Sequence, residues 1–538
     1  MNRSAEGPPM NFDLPYPSSR SPVLGRNMVA TSQPLAAQAG VAMLARGGTA
    51  ADAAVAAAMV MTVVEPTGCG VGSDAFALYW DGHKLEGLNA SGRAPMAWTP
   101  DYFAGQKAMP QRGWNSVTVP GVVSAWIALH DKHGRLPLDV VAEPAIRYAR
   151  DGFSLSPVIG VLWQNGANQL AAQPGFADHF MPSGRAPRAG ELVKRPDLAA
   201  TLEDIVATRG DTFYRGALAE KLTAHAALHG GAMTMSDLDA HRADWVTPIS
   251  TGFRYAAVHE IPPNGQGIAT LIALGLLDPF DLESHPVDSV ETTHLMIEAI
   301  KVALADCERH VGDIETMRVS PDDLLDADYL AERRRLIDPK QAGLPAYGAP
   351  RPGGTIYLCA ADAEGRMVSF IQSNYMGFGS GVVVPGTGIA LQNRGAGFSL
   401  EDGHPNQVGS GKRPFHTIIP GFATTHDGSA PIMSFGVMGG PMQSQGHLQM
   451  AVRVLAYGQN PQAAADAPRW RVTGGRKVVV ESTFDPELAE GLKALGHEVI
   501  VETPDAVFGF GGAQLIVCGE DGYVGGSDPR KDGQVVAF

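Results

Sequence analysis

Cysteine is scarce in this chain. Four occur in 538 residues, at Cys69, Cys307, Cys359 and Cys518, and none is spaced as CxxC or set beside a histidine pair. That argues against a disulfide framework and against a structural zinc site. Charge is sparse too, at 18% of residues, and the balance is acidic: 41 Lys+Arg against 56 Asp+Glu, a formal net of −15. No basic run exceeds Arg333-Arg334-Arg335, so the stripe that marks a nucleic-acid binder is missing. Long apolar runs are missing as well. The most apolar stretch, Ala50 to Val64, is interrupted by Asp52 and closed by Glu65-Pro66; it is too short to span a bilayer and reads as a buried helix. The opening MNRSAEGPPMNFDLPYPSSRSP has no apolar h-region. These absences predict a cytoplasmic protein with no nucleic-acid and no membrane partner.

What is present is a large apolar fraction, 44%, and 64 glycines, grouped at punctuation points between apolar segments and not as a low-complexity tract. Length alone allows three or four domains at about 150 residues each, or one enlarged domain. Residues 1–26 read as an extended arm. Leu35 to Ala45 has helical periodicity and stops at Gly47-Gly48, after which Thr49 is placed to cap a second helix with Asp52 at its positive end. Asp288 to His310 carries Val290, Leu295, Met296, Ile300, Ala303 and Leu304 mainly on one face, an amphipathic helix, and a charged helix follows through Asp328 to Ile337. Pro339 to Gly354 then holds four prolines and four glycines in 16 residues, which predicts an exposed, weakly held linker. Beyond it, Thr355-Ile-Tyr-Leu-Cys-Ala-Ala reads as a strand buried on both faces, Asp362 to Gly365 as a turn, and Arg366 to Ser373 as the returning strand. Helices before Thr355 and strands after it suggest sheet layers faced by helices.

The common chemical motifs fail on spacing. Gly409-Ser-Gly-Lys412 is followed by Arg413 and preceded by Asn406 where a P-loop needs glycine; GxSxG, HExxH and GxGxxG do not occur. One juxtaposition stands out, the linker ending in Gly353-Gly354 and running straight into Thr355. A threonine hydroxyl is a weak nucleophile unless a base sits beside it. A free α-amine, with a pKa of about 7.7–8.0, is such a base when threonine is the first residue of its chain. Cleavage at Gly354–Thr355 would create that pair, and Gly354, lacking a side chain, would let the hydroxyl reach its carbonyl for an N-to-O acyl shift. On composition alone, an ordinary loop-to-strand junction reads the same way.

The wider pattern carries more. Thr355 to Asp362 with its Gly turn, Ser373-Asn-Tyr-Met-Gly-Phe-Gly-Ser-Gly381, Gly411-Lys-Arg-Pro414, Gly439-Gly440 and Ser527-Asp-Pro-Arg530 resemble the small subunit of the γ-glutamyltranspeptidase family. Gly47-Gly-Thr-Ala-Ala-Asp-Ala-Ala54, Val64-Glu-Pro66, Pro120-Gly121 and Ala305-Asp306 resemble its large subunit, in the same order. The resemblance spans roughly residues 27–535. It implies an α+β fold, the four-layer αββα N-terminal-nucleophile hydrolase sandwich, as one domain cleaved into two interleaved chains: a large-subunit portion 27–354 after the arm and a small-subunit portion 355–538. It also implies that Thr355 attacks an amide carbonyl and that water or an acceptor amine takes the acyl group, with no cofactor and no metal. By position, Ser373 is the hydroxyl that hydrogen-bonds the nucleophile and supports autocleavage, and Gly439 and Gly440 offer backbone N–H groups as an oxyanion hole.

The substrate positions depart from the family. Members carry an arginine before Glu-hydrophobic-Ala-Pro for the substrate α-carboxylate; here Ser91 takes that position and Arg93 comes two residues later. An acidic pair before a phenylalanine, which holds the α-ammonium, is replaced by Ala396-Gly397 before Phe398. Two serines after Lys-Arg-Pro become His416 and Thr417, an asparagine after the supporting hydroxyl becomes Tyr375, and Ser399 to Ser410 is shorter than the usual lid. Arg93, Arg394 and His416 remain as candidate anion contacts, with Tyr375, Asn393 and Thr417 as further substrate-site candidates, although each arginine could be structural and His416 a packing residue. A site without an acidic partner binds an ammonium poorly. The expected activity is that of a γ-glutamyltransferase or glutathione hydrolase acting on γ-glutamyl amides. The alternatives are a cephalosporin-acylase-like enzyme acting on other carboxylate-bearing amides, and a non-processing binding protein.

Overall fold

The computed structural model describes residues 19–344, 354–502 and 509–538. Fourteen strands build its two large sheets: β1 (Val23–Gly25), β2 (Met28–Thr31), β3 (Asp74–Trp80), β4 (Leu85–Asn89), β5 (Asp244–Val246), β6 (Ile249–Phe253), β7 (Ala256–Glu260), β8 (Gly354–Ala361), β9 (Met367–Tyr375), β10 (Gly421–Thr425), β11 (Pro431–Met438), β12 (Gly512–Cys518), β13 (Tyr523–Ser527) and β14 (Gln534–Ala537). One seven-stranded sheet runs β1-β13-β12-β11-β10-β7-β6, the other β14-β2-β8-β9-β3-β4-β5. Every pairing in both is antiparallel.

Side-chain alternation sets the layers. In β8, Tyr357 and Cys359 pack into a core shared with Phe422, Met438 and Ile516 of the facing sheet and with Ile418 just before β10. Ile356, Leu358 and Ala360 turn the other way, into a core built on the helices α1 (Pro34–Ala45) and α2 (Ala50–Val64). Across the molecule, Met433, Phe435 and Val437 of β11 face a third core with α3 (Gly267–Leu277), α4 (Val290–His310) and α5 (Met442–Ala451). Helix, sheet, sheet, helix is the expected αββα order. The sheets approach closely at Gly436, where a Cβ would lie 2.4 Å from the Tyr357 ring.

The capping of α2 follows the sequence. Thr49 accepts from the Asp52 amide and Asp52 reaches back to the Thr49 N–H at 2.8 Å, a complete capping box. Every residue of α2 is buried, as its composition predicts, and no helix among the described residues is long and apolar enough to cross a membrane. The charged helix is Ala327–Arg334, starting one residue before and ending three residues before the expected bounds.

Two boundaries differ from expectation. Of the expected arm, residues 1–18 lie outside the described residues, and Val23–Gly25 is strand β1, paired with β13 at a sheet edge. The linker begins later than its composition suggests: Ala342 is buried and donates to the Leu495 carbonyl, the Gly343 carbonyl accepts from Lys301 Nζ at 2.7 Å, and the Gly343 N–H donates to Glu298 at 2.9 Å. Specific partners hold this stretch despite its breaker residues. Residues 345–353, the rest of the predicted linker, lie outside the described residues.

Candidate active site

Thr355 sits near the start of β8, in the middle of its sheet. The register with β9 shifts between Gly354, opposite Tyr375, and Ile356, opposite Gln372. Such an irregularity re-aims the side chain at the bulge, and here it brings Thr355 Oγ1 to 3.0 Å from Ser373 Oγ, both residues fully buried. The Tyr375 N–H donates to the same Ser373 oxygen at 2.8 Å. Tyr375 is itself held at φ +78°, a left-handed backbone that side chains rarely adopt.

Gly439 and Gly440 form the turn between β11 and α5, with φ of +133° and +61°, conformations that favour glycine. The Gly440 carbonyl is bound from two directions, by the Gln443 N–H at 3.1 Å and by Gln266 Nε2 at 2.9 Å. Gln266 also donates to the Thr417 carbonyl at 2.6 Å, and Gln443 Nε2 donates to Thr355 Oγ1 at 3.3 Å. These two glutamines join the glycine turn, the candidate nucleophile and Thr417 in one network. Sequence reasoning missed both, although a polar Gln443-Ser-Gln445 separated by two residues from a glycine pair is a signal of a functional helix start.

Beside this network lies a cavity of about 700 Å³. Tyr375, Ala396, Gly397, Phe398, Thr417 and Gln266 line it, an apolar wall comes from Leu304, Cys307 and Val311, and Glu308 and Glu401 also border it. Arg394 lies behind Tyr375 and Thr417, with its guanidinium carbon 4.9 Å from the Tyr375 ring centre and Nη1 donating to Thr417 Oγ1 at 2.9 Å. Its Nε and Nη2 have no hydrogen-bond partner among the described residues. Burial lowers its pKa to about 10, opposed by the Asp74 charge, so it remains a cation at neutral pH.

Neither Arg394 nor Arg93 is on the cavity wall itself. Arg93 differs from Arg394 in that its guanidinium is already engaged, by Asp313 at 3.4 Å, Glu315 at 3.3 Å and the Gly411 carbonyl at 3.1 Å. Asn393 is spent on the loops, donating to the Gln111 carbonyl and accepting the Met376 N–H. His416 is no cationic anion contact. It is fully buried, burial and the neighbouring Arg394 and Arg413 push its pKa well below the usual histidine range, and its Nε2 faces Asp74 at 3.2 Å. Asp74, opposite Ser373 on β3, has its own pKa raised by burial to about 7. The histidine therefore serves the packing around Asp74 and Ser373.

Among the described residues one cluster has metal-type residues: ligand atoms of His294, Glu298 and His497 lie within 4.8 Å of one another. Glu298 is already engaged by Lys301 Nζ at 2.7 Å and by the Gly343 N–H, and the two imidazoles bond each other at 2.8 Å. An ammonium seated on the carboxylate opposes a second cation, so the set works as a clamp on the start of the linker.

A four-layer αββα sandwich with a threonine at the head of a central strand is the architecture of the N-terminal-nucleophile hydrolases. The gamma-glutamyltranspeptidase family model matches residues 36–538, and the chain belongs to that family and is an enzyme of it. It is 37% identical to the glutathione hydrolase-like YwrD proenzyme of Bacillus subtilis (strain 168), covering 97% of this chain and 100% of that protein. It is 36% identical to the oxamate amidohydrolase proenzyme of Klebsiella pneumoniae, covering 96% and 99%. The crystal structure of a cephalosporin acylase from Bacillus halodurans superposes with a TM-score of 0.94 at 47% identity, covering 99% of both chains.

Proposed function

We propose that this enzyme is an autoprocessing threonine amidohydrolase. The bond between Gly354 and Thr355 is severed, giving chains 1–354 and 355–538, and the freed α-amine of Thr355 takes the proton of its own hydroxyl. Oγ1 then attacks an amide carbonyl, the N–H groups of Gly439 and Gly440 receive the developing oxyanion, and water or an amine releases the acyl group. The observation that carries this reading is the 3.0 Å contact of Thr355 Oγ1 with Ser373 Oγ at a strand bulge beside a cavity. The relatives named as proenzymes support it.

For the acyl group we propose a carboxylate-bearing amide without an α-ammonium. A buried guanidinium with two unpartnered nitrogens fits a carboxylate, and Ala396-Gly397 put no charge on the cavity wall at the position where the family has its acidic pair. A second reading, γ-glutamyl amides such as glutathione, is favoured by Glu308 and Glu401 at the same cavity and by the relative named glutathione hydrolase-like.

The test is a panel of chromogenic glutaryl, adipyl and γ-glutamyl amides together with oxamate. It is run on purified protein whose N-termini have been sequenced. Two chains are expected, the smaller starting at Thr355, with kcat/KM highest on the dicarboxylic amides. Arg394→Met should lower that value by about 100-fold, the size of a lost buried ion contact. Thr355→Ala should remain one uncut, inactive chain; cleavage at the same bond in that variant would overturn self-processing.

A further inference from the structure

Gln443 touches the atom that the proposed reaction uses, and no part of that proposal assigns it. Its side chain is fully buried at the start of α5. The Oε1 atom accepts the Ile419 N–H at 3.1 Å, and Nε2 faces Thr355 Oγ1 at 3.3 Å. The amide orientation follows from this network, because a flip would set an NH2 group against the Ile419 N–H. Gln443 therefore meets the Thr355 oxygen only as a donor.

That has a chemical consequence. A hydroxyl that accepts a hydrogen bond on one side directs its own proton elsewhere, toward Ser373 or, in a freed chain, toward the α-amine. As the proton leaves, negative charge gathers on Oγ1, and a fixed N–H already aimed at it becomes a charge-assisted hydrogen bond. The donor is preorganised: the Gln443 backbone N–H holds the Gly440 carbonyl at 3.1 Å, so one short segment carries both the glycine turn and this contact.

We infer that Gln443 is a further catalytic residue, the donor that stabilises the developing alkoxide of Thr355 in acyl transfer and in self-cleavage. The inference rests on the threonine reading above. In acyl transfer the Oγ1–C bond forms as the hydroxyl proton passes to the α-amine; the C–N bond then breaks and the leaving amine takes that proton. In self-cleavage the new bond is to the Gly354 carbonyl carbon, the C–N bond to Thr355 breaks, the hydroxyl proton ends on the Thr355 nitrogen, and water then hydrolyses the ester.

Three variants test it, with kcat, KM and the rate of precursor splitting read on the best amide of the panel. Gln443→Met keeps the volume and removes the donor. It should lower kcat and slow splitting by about 10- to 100-fold, one charge-assisted hydrogen bond, with KM within about threefold. Gln443→Glu still accepts from Ile419 but presents an oxygen to Thr355 that donates only when protonated, so its activity relative to native should rise as pH falls. A purely structural role for Gln443 would not produce that pH trend. Native kcat and splitting in Gln443→Met, or a Gln443→Glu ratio that is flat or rises with pH, would overturn the inference. Thr355→Ala separates the two failures: if it is inactive while Gln443→Met is native, only the role of Gln443 falls, and if it stays active the threonine reading itself falls.

Discussion

Glu260 and His447 share a hydrogen bond of 2.7 Å in the core between β7 and α5, both fully buried, and the second polar atom of each has no partner among the described residues. Burial raises the Glu260 pKa well above the usual carboxylate range and lowers that of His447 to about 3. The pair is thus neutral, with the acid donating to the imidazole. A carboxyl whose folded pKa is raised keeps a proton that the unfolded chain loses above about 4.5, so its burial costs more stability as pH climbs from there past neutrality. Glu260→Gln donates to the same nitrogen and has no proton to lose. Its stability relative to native should therefore grow with pH from about 5 up to the raised folded pKa, by up to about 1.4 kcal/mol per pH unit, while the His447 contribution is common to both proteins and cancels. Urea midpoints at several pH values check this; a difference independent of pH would mean that Glu260 is ionised. Pairs of this kind are not visible in sequence, because residues 187 apart meet only once the fold exists. The same holds for Arg394, which on composition could be a solvated cation and is in fact buried under Tyr375. Thr355 stands out in sequence for the opposite reason: the chemistry proposed for it depends on what adjoins it in the chain.

At the scale of elements, the start of α2 shows how local signals and distant contacts combine. Asp52 closes the capping box with Thr49, and the same carboxylate accepts the Arg135 N–H at 2.9 Å and the Leu136 N–H at 3.3 Å. Thr49→Ala should cost about 1 kcal/mol, the usual price of a lost cap. Asp52→Ala removes the acceptor of three backbone donors, one buried and two part-buried, and should cost more, about 3 kcal/mol. Chemical denaturation of both variants measures the gap; equal losses would mean that the loop at Arg135 is held by other contacts. The capping box was readable because it lies within four residues, whereas its second use came from a loop more than 80 residues away. Strand β8 was equally readable from its apolar run, but the shift of register that aims Thr355 at Ser373 depends on pairing with β9. Helix α5 carries Gln443, Ser444, Gln445, His447 and Gln449, a polar composition for a helix interior, yet all are buried and hydrogen-bonded. Hydrophobic periodicity misreads a helix whose interior contacts are polar.

At the scale of the whole molecule, the two sheets decide what a cut at Gly354–Thr355 would do. In one, β8 and β9 from beyond the cut lie between β2 and β3 from before it, and β14 flanks β2 on the other side. In the other, β10 to β13 lie between β1 at one edge and β7 and β6 at the other. Neither chain therefore owns a complete sheet, and separating them would expose both the strand edges and the apolar core between the sheets. The clamp of His294, Glu298 and Lys301 around Gly343 also ties the start of the linker before the cut to α4, while His497 reaches it from beyond the cut. The processed protein should therefore run as one species containing both chains on size exclusion in native buffer, and lose both sheets in one cooperative urea transition. Recording sheet content by circular dichroism alongside the elution profile of each chain tests this directly. If one chain eluted folded without the other, the alternating strand order could not be the order in the mature enzyme, because a sheet stripped of its central strands has no partner for the edges left behind.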